Sequence, residues 1–181
     1  MMRAFFCFCF LFAGTAVADE NVEKRIQQIS ELEKAGKRAE AVERSIALTN
    51  EHPNDVPALY QLWNLLRDDR KWDRQEAALK RAMAITPNDA KSCFLLGIII
   101  GGAVGGEVDA DRERRENMAI ALFVRVTELE PKNTDAWFNL ASIRAAQKTP
   151  DLPAAREAYR RAVELGAGRD TEIEKQIQWK P

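Results

Sequence analysis

Three prolines set the strongest limit on how this chain can fold. They stand in matching contexts: Glu51-His52-Pro53-Asn54-Asp55, Ile85-Thr86-Pro87-Asn88-Asp89 and Leu129-Glu130-Pro131-Lys132-Asn133. Each follows an amphipathic helical pattern and precedes another. Proline cannot continue a helix, and an Asn or Asp just after it supplies a turn and a helix N-cap. Pro53 to Pro87 is 34 residues, and Pro87 to Pro131 is 44, which is 34 plus 10. A period of this size marks an internal repeat.

The residues inside the period resemble the tetratricopeptide repeat (TPR) family, whose unit reads W-x2-L-G-x2-Y, then A-x3-F, then P. The last unit has Trp137-x2-Leu140-Ala141 on helix A and Ala155-x3-Tyr159 with Ala162 on helix B. The third has Cys93-x2-Leu96-Gly97, then Ala119-x3-Phe123 and Pro131. In the second, Leu59-x2-Leu62 is followed by Trp63 where a small residue is expected, and Gln75 replaces another small residue. Ala82 and Pro87 fit the pattern. The first unit keeps Gly36, Ala41 and Pro53, but Arg25, Gln28 and Ser45 fall on normally apolar places; a shift of one residue suits Ile26 and Ile29 better.

The resemblance implies an all-α, right-handed α-solenoid of about four helix-turn-helix units over 22–55, 56–89, 90–133 and 134–167. Thr171-Glu172-Ile173-Glu174 has capping-box form, with Thr171 as N-cap. With Ile173, Ile177 and Trp179 it predicts a capping helix over 169–181, closing a solenoid domain that runs over 19–168. A single helix pair cannot bury its apolar stripe alone, whereas stacked pairs can.

The N-terminus, MMRAFFCFCFLFAGTAVADE, has one cation, a short apolar run and Ala16-Val17-Ala18 before Asp19. This is the pattern of a cleavable signal peptide over 1–18. It predicts a periplasmic or secreted protein, touching the membrane only through that segment if it is not cleaved. The remaining chain then holds one cysteine, Cys93, so no internal disulfide forms. Acidic and basic residues nearly balance, 28 against 27, which argues against a nucleic-acid partner.

One stretch resists the repeat. Residues 93–116, CFLLGIIIGGAVGGEVDADRERRE, join an apolar run to four glycines and a burst of charge. The run Cys93 to Ile100 is too short to span a bilayer. Glu107 stands where a phosphate loop needs Lys, and position 120 is Ile where a calcium loop needs Glu. The register instead assigns 101–113 as a Gly-rich insertion between the third unit's helices. Asp109 or Asp111 would cap a lengthened helix B, with Arg112, Arg114 and Arg115 on a solvated face. A smaller insertion, Thr149-Pro150-Asp151-Leu152-Pro153, falls in the fourth unit.

No catalytic constellation emerges. His52 is the one histidine and sits in an inter-repeat turn; Cys93 occupies a packing position. No Ser stands in G-x-S-x-G, and a zinc site needs more Cys and His than the chain has. The chain is expected to be no enzyme and to use no metal or cofactor.

The resemblance implies instead a groove lined by the A helices that receives a protein or an extended peptide. Carried over by repeat position, its contacts are Tyr60, Gln61, Asn64 and Arg67; Lys91, Phe94, Leu95 and Ile98; and Asp135, Phe138, Asn139 and Ser142. Tyr60, Phe94 and Phe138 share one repeat place and are expected to form an aromatic row, a cheap way to gain contact area. Aromatics replace several Lys, Arg and Asn of the family's two-carboxylate clamp, so that partner class is not expected. The alternative is a structural or assembly subunit whose groove is filled by its own C-terminal helix or by a second copy in a homo-oligomer.

Overall fold

The computed structural model describes residues 15–67, 72–102 and 109–180. The leader through residue 14 and insertion residues 103–108 lie outside the described residues. Among those described, every regular element is an α-helix: α1 Thr15–Lys34, α2 Arg38–Glu51, α3 Val56–Leu66, α4 Trp72–Ile85, α5 Ala90–Gly102, α6 Asp109–Leu129, α7 Thr134–Ala146, α8 Leu152–Glu164 and α9 Thr171–Gln176. None is long and apolar enough to cross a membrane. The chain divides into two compact units between Leu65 and Leu66.

The three proline turns are built alike. In each, the helix-ending residue donates back to a carbonyl four residues earlier: His52 to Leu48 at 2.9 Å, Thr86 to Ala82 at 2.9 Å and Glu130 to Val126 at 2.7 Å. Two residues after each proline comes a cap. Asp55 accepts from the Ala58 amide at 2.8 Å, Asp89 from Ser92 at 2.8 Å and Asn133 from Ala136 at 2.9 Å. Each cap satisfies one orphan donor of the next helix, a contribution of about 1 kcal/mol. The fourth unit's insertion ends the same way, with Asp151 capping α8 through the Ala154 amide at 3.1 Å.

The B-helix positions at i, i+4 and i+7 are buried in all four repeats. They are Ala41, Ser45 and Leu48; Gln75, Leu79 and Ala82; Ala119, Phe123 and Val126; and Ala155, Tyr159 and Ala162, none more than 2% exposed. Full burial of a Leu-sized side chain contributes roughly 1.5–3 kcal/mol. The alanines contribute by letting partner helices approach closely. Gln75 breaks the small-residue rule and stays satisfied, its side-chain amide donating to the Leu66 carbonyl at 3.1 Å.

In the first unit, α1 follows the shifted register: Val22 and Ile29 are buried, while Gln28 is exposed and Arg25 half-exposed. Arg25 reaches across to Glu51 of α2 at 2.5 Å and holds that carboxyl below its ordinary value. The α1–α2 turn closes with Gly36 at φ 75°, where Lys37 donates to Leu32 and Gly36 to Glu33. The left-handed conformation suits glycine, and the two bonds serve otherwise unpaired carbonyls.

In the compact unit that begins at Leu66, α4 packs on α5, α5 on α6, α6 on α7 and α7 on α8. Cys93, Val126 and Ala136 form a buried cluster flanked by Met83, Phe94 and Leu122. Cys93 donates to the Met83 sulfur at 3.9 Å, and burial pushes its thiol pKa up, as befits a packing residue. The Trp137 indole donates to the Pro131 carbonyl at 2.9 Å, tying helix A to the turn before it.

The cap is a closed assembly. Ile173 and Ile177 are buried, and Trp179 meets Tyr159 edge-on with ring centroids 5.2 Å apart. The Tyr159 hydroxyl donates to Glu174 and accepts from the Asp170 amide, each at 2.8 Å. Arg156 donates to the Ile177 carbonyl at 2.6 Å. The N-cap is Asp170, one residue before the expected Thr171; its carboxylate accepts from both Glu172 and Ile173. An Asp can serve two amides at once, so it takes the position and leaves Thr171 as the first helical residue.

Candidate functional site

Three helices of the compact unit that begins at Leu66, α5, α6 and α7, enclose an open cavity of about 440 Å³. Its floor exists because α5 carries glycine. A Cβ on Gly97 would stand 3.0 Å from the Phe123 ring, and one on Gly101 would meet Ile143 at 3.4 Å. Phe123 is itself held edge-on by Phe94, with centroids 6.0 Å apart. Ile98 lies on the rim and is 42% exposed, unusual for so large an apolar side chain.

The insertion shapes the mouth, though not as a loop through 101–113. Gly101 and Gly102 complete α5, and the backbone from Asp109 onward already belongs to α6. Early α6 therefore carries Arg112 and Glu116 to the cavity. Glu116 is only 4% exposed, and its carboxylate accepts from Arg112 Nε at 2.9 Å. The arginine side chain is 45% exposed. A second, more polar cavity shares Arg112, Glu116 and Ala146 and extends past Glu113 and Lys148.

The expected solvated arginine face is thus only partly so. Arg114 is exposed beside Asp111. Arg115 is largely buried and pairs with Glu76 of α4 at 3.5 Å, because its place on α6 turns it toward the packed interior.

Of the expected groove residues, Ile98, Asn139 and Ser142 meet at this cavity. The Asn139 amide group donates to the Asp135 carbonyl at 2.8 Å, which leaves its oxygen turned to other use. Phe94 sits behind the wall, half-buried against the core cluster, and Phe138 is half-buried on α7. Lys91 and Asp135 are exposed and Leu95 is half-buried. Tyr60, Gln61 and Asn64 are half-buried on α3, in the compact unit that ends at Leu65, and the exposed Arg67 follows Leu66. The Gln61 side-chain nitrogen and the Trp63 indole nitrogen are buried without a hydrogen-bond partner among the described residues.

Gly97, Gly101, Arg112, Glu116, Phe123 and Ile143 were not among the expected site residues. Phase could have found Glu116: it lies three residues before Ala119 and seven before Phe123, on the buried stripe of α6. Among the described residues, no cluster of His, Cys, Asp or Glu could hold a metal ion.

No family model and no curated protein matches the sequence. Solved structures do. A thermophilic TPR protein of Thermus thermophilus, TTC0263, superposes with a TM-score of 0.60 at 15% identity over 86% of this chain and 79% of that one. The chain has the tetratricopeptide-repeat fold. A MamA crystal structure matches this chain with a TM-score of 0.65 at 16% identity, covering 91% of this chain and 81% of that one. MamA of Desulfovibrio magneticus RS-1, from its residue 41 onward, gives 0.62 at 20% identity over 80% and 75%. At these identities the likeness carries fold alone.

Proposed function

We propose that this TPR protein is an interaction module that recognises or scaffolds partner proteins through the surfaces of its A helices. The observation that carries this reading is the open cavity between α5, α6 and α7, where Asn139 and Ser142 stand beside the exposed Ile98. Exposed apolar surface with adaptable polar groups beside it suits capture of an extended peptide. The MamA and TTC0263 likenesses support the frame on which such a surface is displayed. The reading is non-catalytic because the cavity's described lining offers surfaces for packing and hydrogen bonding and no nucleophile beside a base.

The leader pattern supports export to the periplasm or beyond, with cleavage before Asp19. The competing reading is a structural or assembly subunit whose groove is filled by its own C-terminal helix or by a second copy; α9 does pack on α7, but none of its residues lines the cavity. The test is a pull-down from the exporting cells with the wild type beside two variants. One carries Tyr60→Ala, Phe94→Ala and Phe138→Ala, and the other Asn139→Ala with Ser142→Ala, each verified helical by circular dichroism. A partner held by the wild type and lost by the folded variants supports the reading. Equal capture by all three moves the binding surface elsewhere.

A further inference from the structure

We infer that the α5–α6–α7 cavity is an anchor site for a partner peptide bearing a large apolar side chain next to an acidic one. The inference rests on the interaction-module reading and specifies its ligand. Two features of the cavity carry it. The first is volume: about 440 Å³ over a glycine floor, with Phe123 and Ile143 as walls, in the size range of pockets that take ligands.

The second is the state of Arg112. Its Nε is committed to Glu116 at 2.9 Å, and this is its one interaction among the described residues. Both terminal nitrogens therefore remain unengaged at the mouth shared by the two cavities. Glu116 is too buried to receive a ligand itself, so its role is to hold the guanidinium in place. A guanidinium fixed at Nε presents its remaining donors as a fork that fits a carboxylate. The alignment is made before binding, which lowers its entropic cost. Arg112 and Glu116 offset each other in charge, and Glu113 and Lys148 farther out add one charge of each sign, so the entrance is net neutral. The preference for a carboxylate comes from the guanidinium donors that Glu116 does not use, and the complementary occupant has its apolar group in the hole and its carboxylate at the rim.

The experiment is an NMR titration of the purified, isotope-labelled protein with three blocked dipeptides: acetyl-Leu-Asp-amide, acetyl-Leu-Asn-amide and acetyl-Leu-Lys-amide. The expected result is saturating shift changes at Gly97, Gly101 and Ser142. Leu-Asp should bind about three- to fivefold more tightly than Leu-Asn, as for a partly exposed ion pair, and Leu-Lys more weakly than either. Arg112→Gln should erase that ranking while leaving the cavity responsive. Gly102→Leu should fold, because a Cβ there meets nothing within 4 Å, and should fill the hole and abolish all three responses. Equal binding of Leu-Asp and Leu-Asn, or no response at the cavity, overturns the inference. If a partner is still captured through the A helices while the cavity stays silent, only the anchor site is lost. If no partner is captured either, the interaction-module reading fails with it.

Discussion

The two ends of the α7 neighbourhood treat their polar groups in opposite ways. Toward α9, the Tyr159 hydroxyl, the Glu174 carboxylate and the Ile177 carbonyl all meet protein partners, and Ile173, Ile177 and Trp179 fill the space between them. Toward α5 and α6, open volume lies beside Gly102, Ile98 stays exposed, and among the described residues Arg112 uses only its Nε donor. Both regions use the same helix-pair geometry. On the proposed reading the cap ends the stack and the cavity receives a partner. That reading separates a region whose polar groups are satisfied from one where open volume and unused guanidinium donors coincide.

Removing the cap's anchor should have the largest effect. Ile177→Ala empties a fully buried site and should cost about 2–4 kcal/mol in denaturant titration. Dipeptide binding at the cavity should be unchanged, since no α9 residue lines it. Loss of both together would erase the distinction between the two regions. Next in size, Gly97→Leu should destabilise by about 1–3 kcal/mol, because any Cβ there presses on Phe123. By contrast, Gly102→Ala meets open space and should stabilise by about 0.5 kcal/mol through helix propensity. Equal effects at the two glycines would mean that the floor is not held by close packing. Asp89→Ala removes a cap bond to Ser92 and should cost about 1 kcal/mol in thermal melts.

The smallest effect is electrostatic. The Arg169 hydrogen bonds hold the half-buried Glu174 carboxyl below its ordinary value of 4.5. A lowered folded pKa gives stability that is present above 4.5 and lost as pH falls through the folded value. Melting temperature should therefore drop slightly more on acidification in the wild type than in Glu174→Gln. An identical acid response in both would show that the Arg169 pairing contributes nothing to the cap.

The repeat was legible because its signals are local and redundant. Proline turns, the caps at Asp55, Asp89 and Asn133, and the alanines of the B helices each act through a few neighbouring bonds, so the sequence pattern carries them directly. The shift of α1 was also readable, since Ile29 is apolar where Gln28 is not. The cap residue at α9 was misplaced by one because Asp170 and Thr171 are both good cappers, and only the fold decides which amides face the side chain. The cavity was hidden for a different reason. Gly97 and Gly101 let Phe123 and Ile143 close against α5, the open space lies beside Gly102, and those partners come from other helices. Within the run Arg112 to Glu116, charge masked the periodicity that buries Glu116.

The most direct test of the central claim is site-specific photo-crosslinking in the cells that make the protein. A photoreactive residue would replace Ser142 at the cavity in one variant and the exposed Lys175 on α9 in another. Partner adducts from position 142, absent from 175 and suppressed by Gly102→Leu, are the predicted result. Adducts from 175 alone, or from 142 regardless of the filled cavity, would contradict the account.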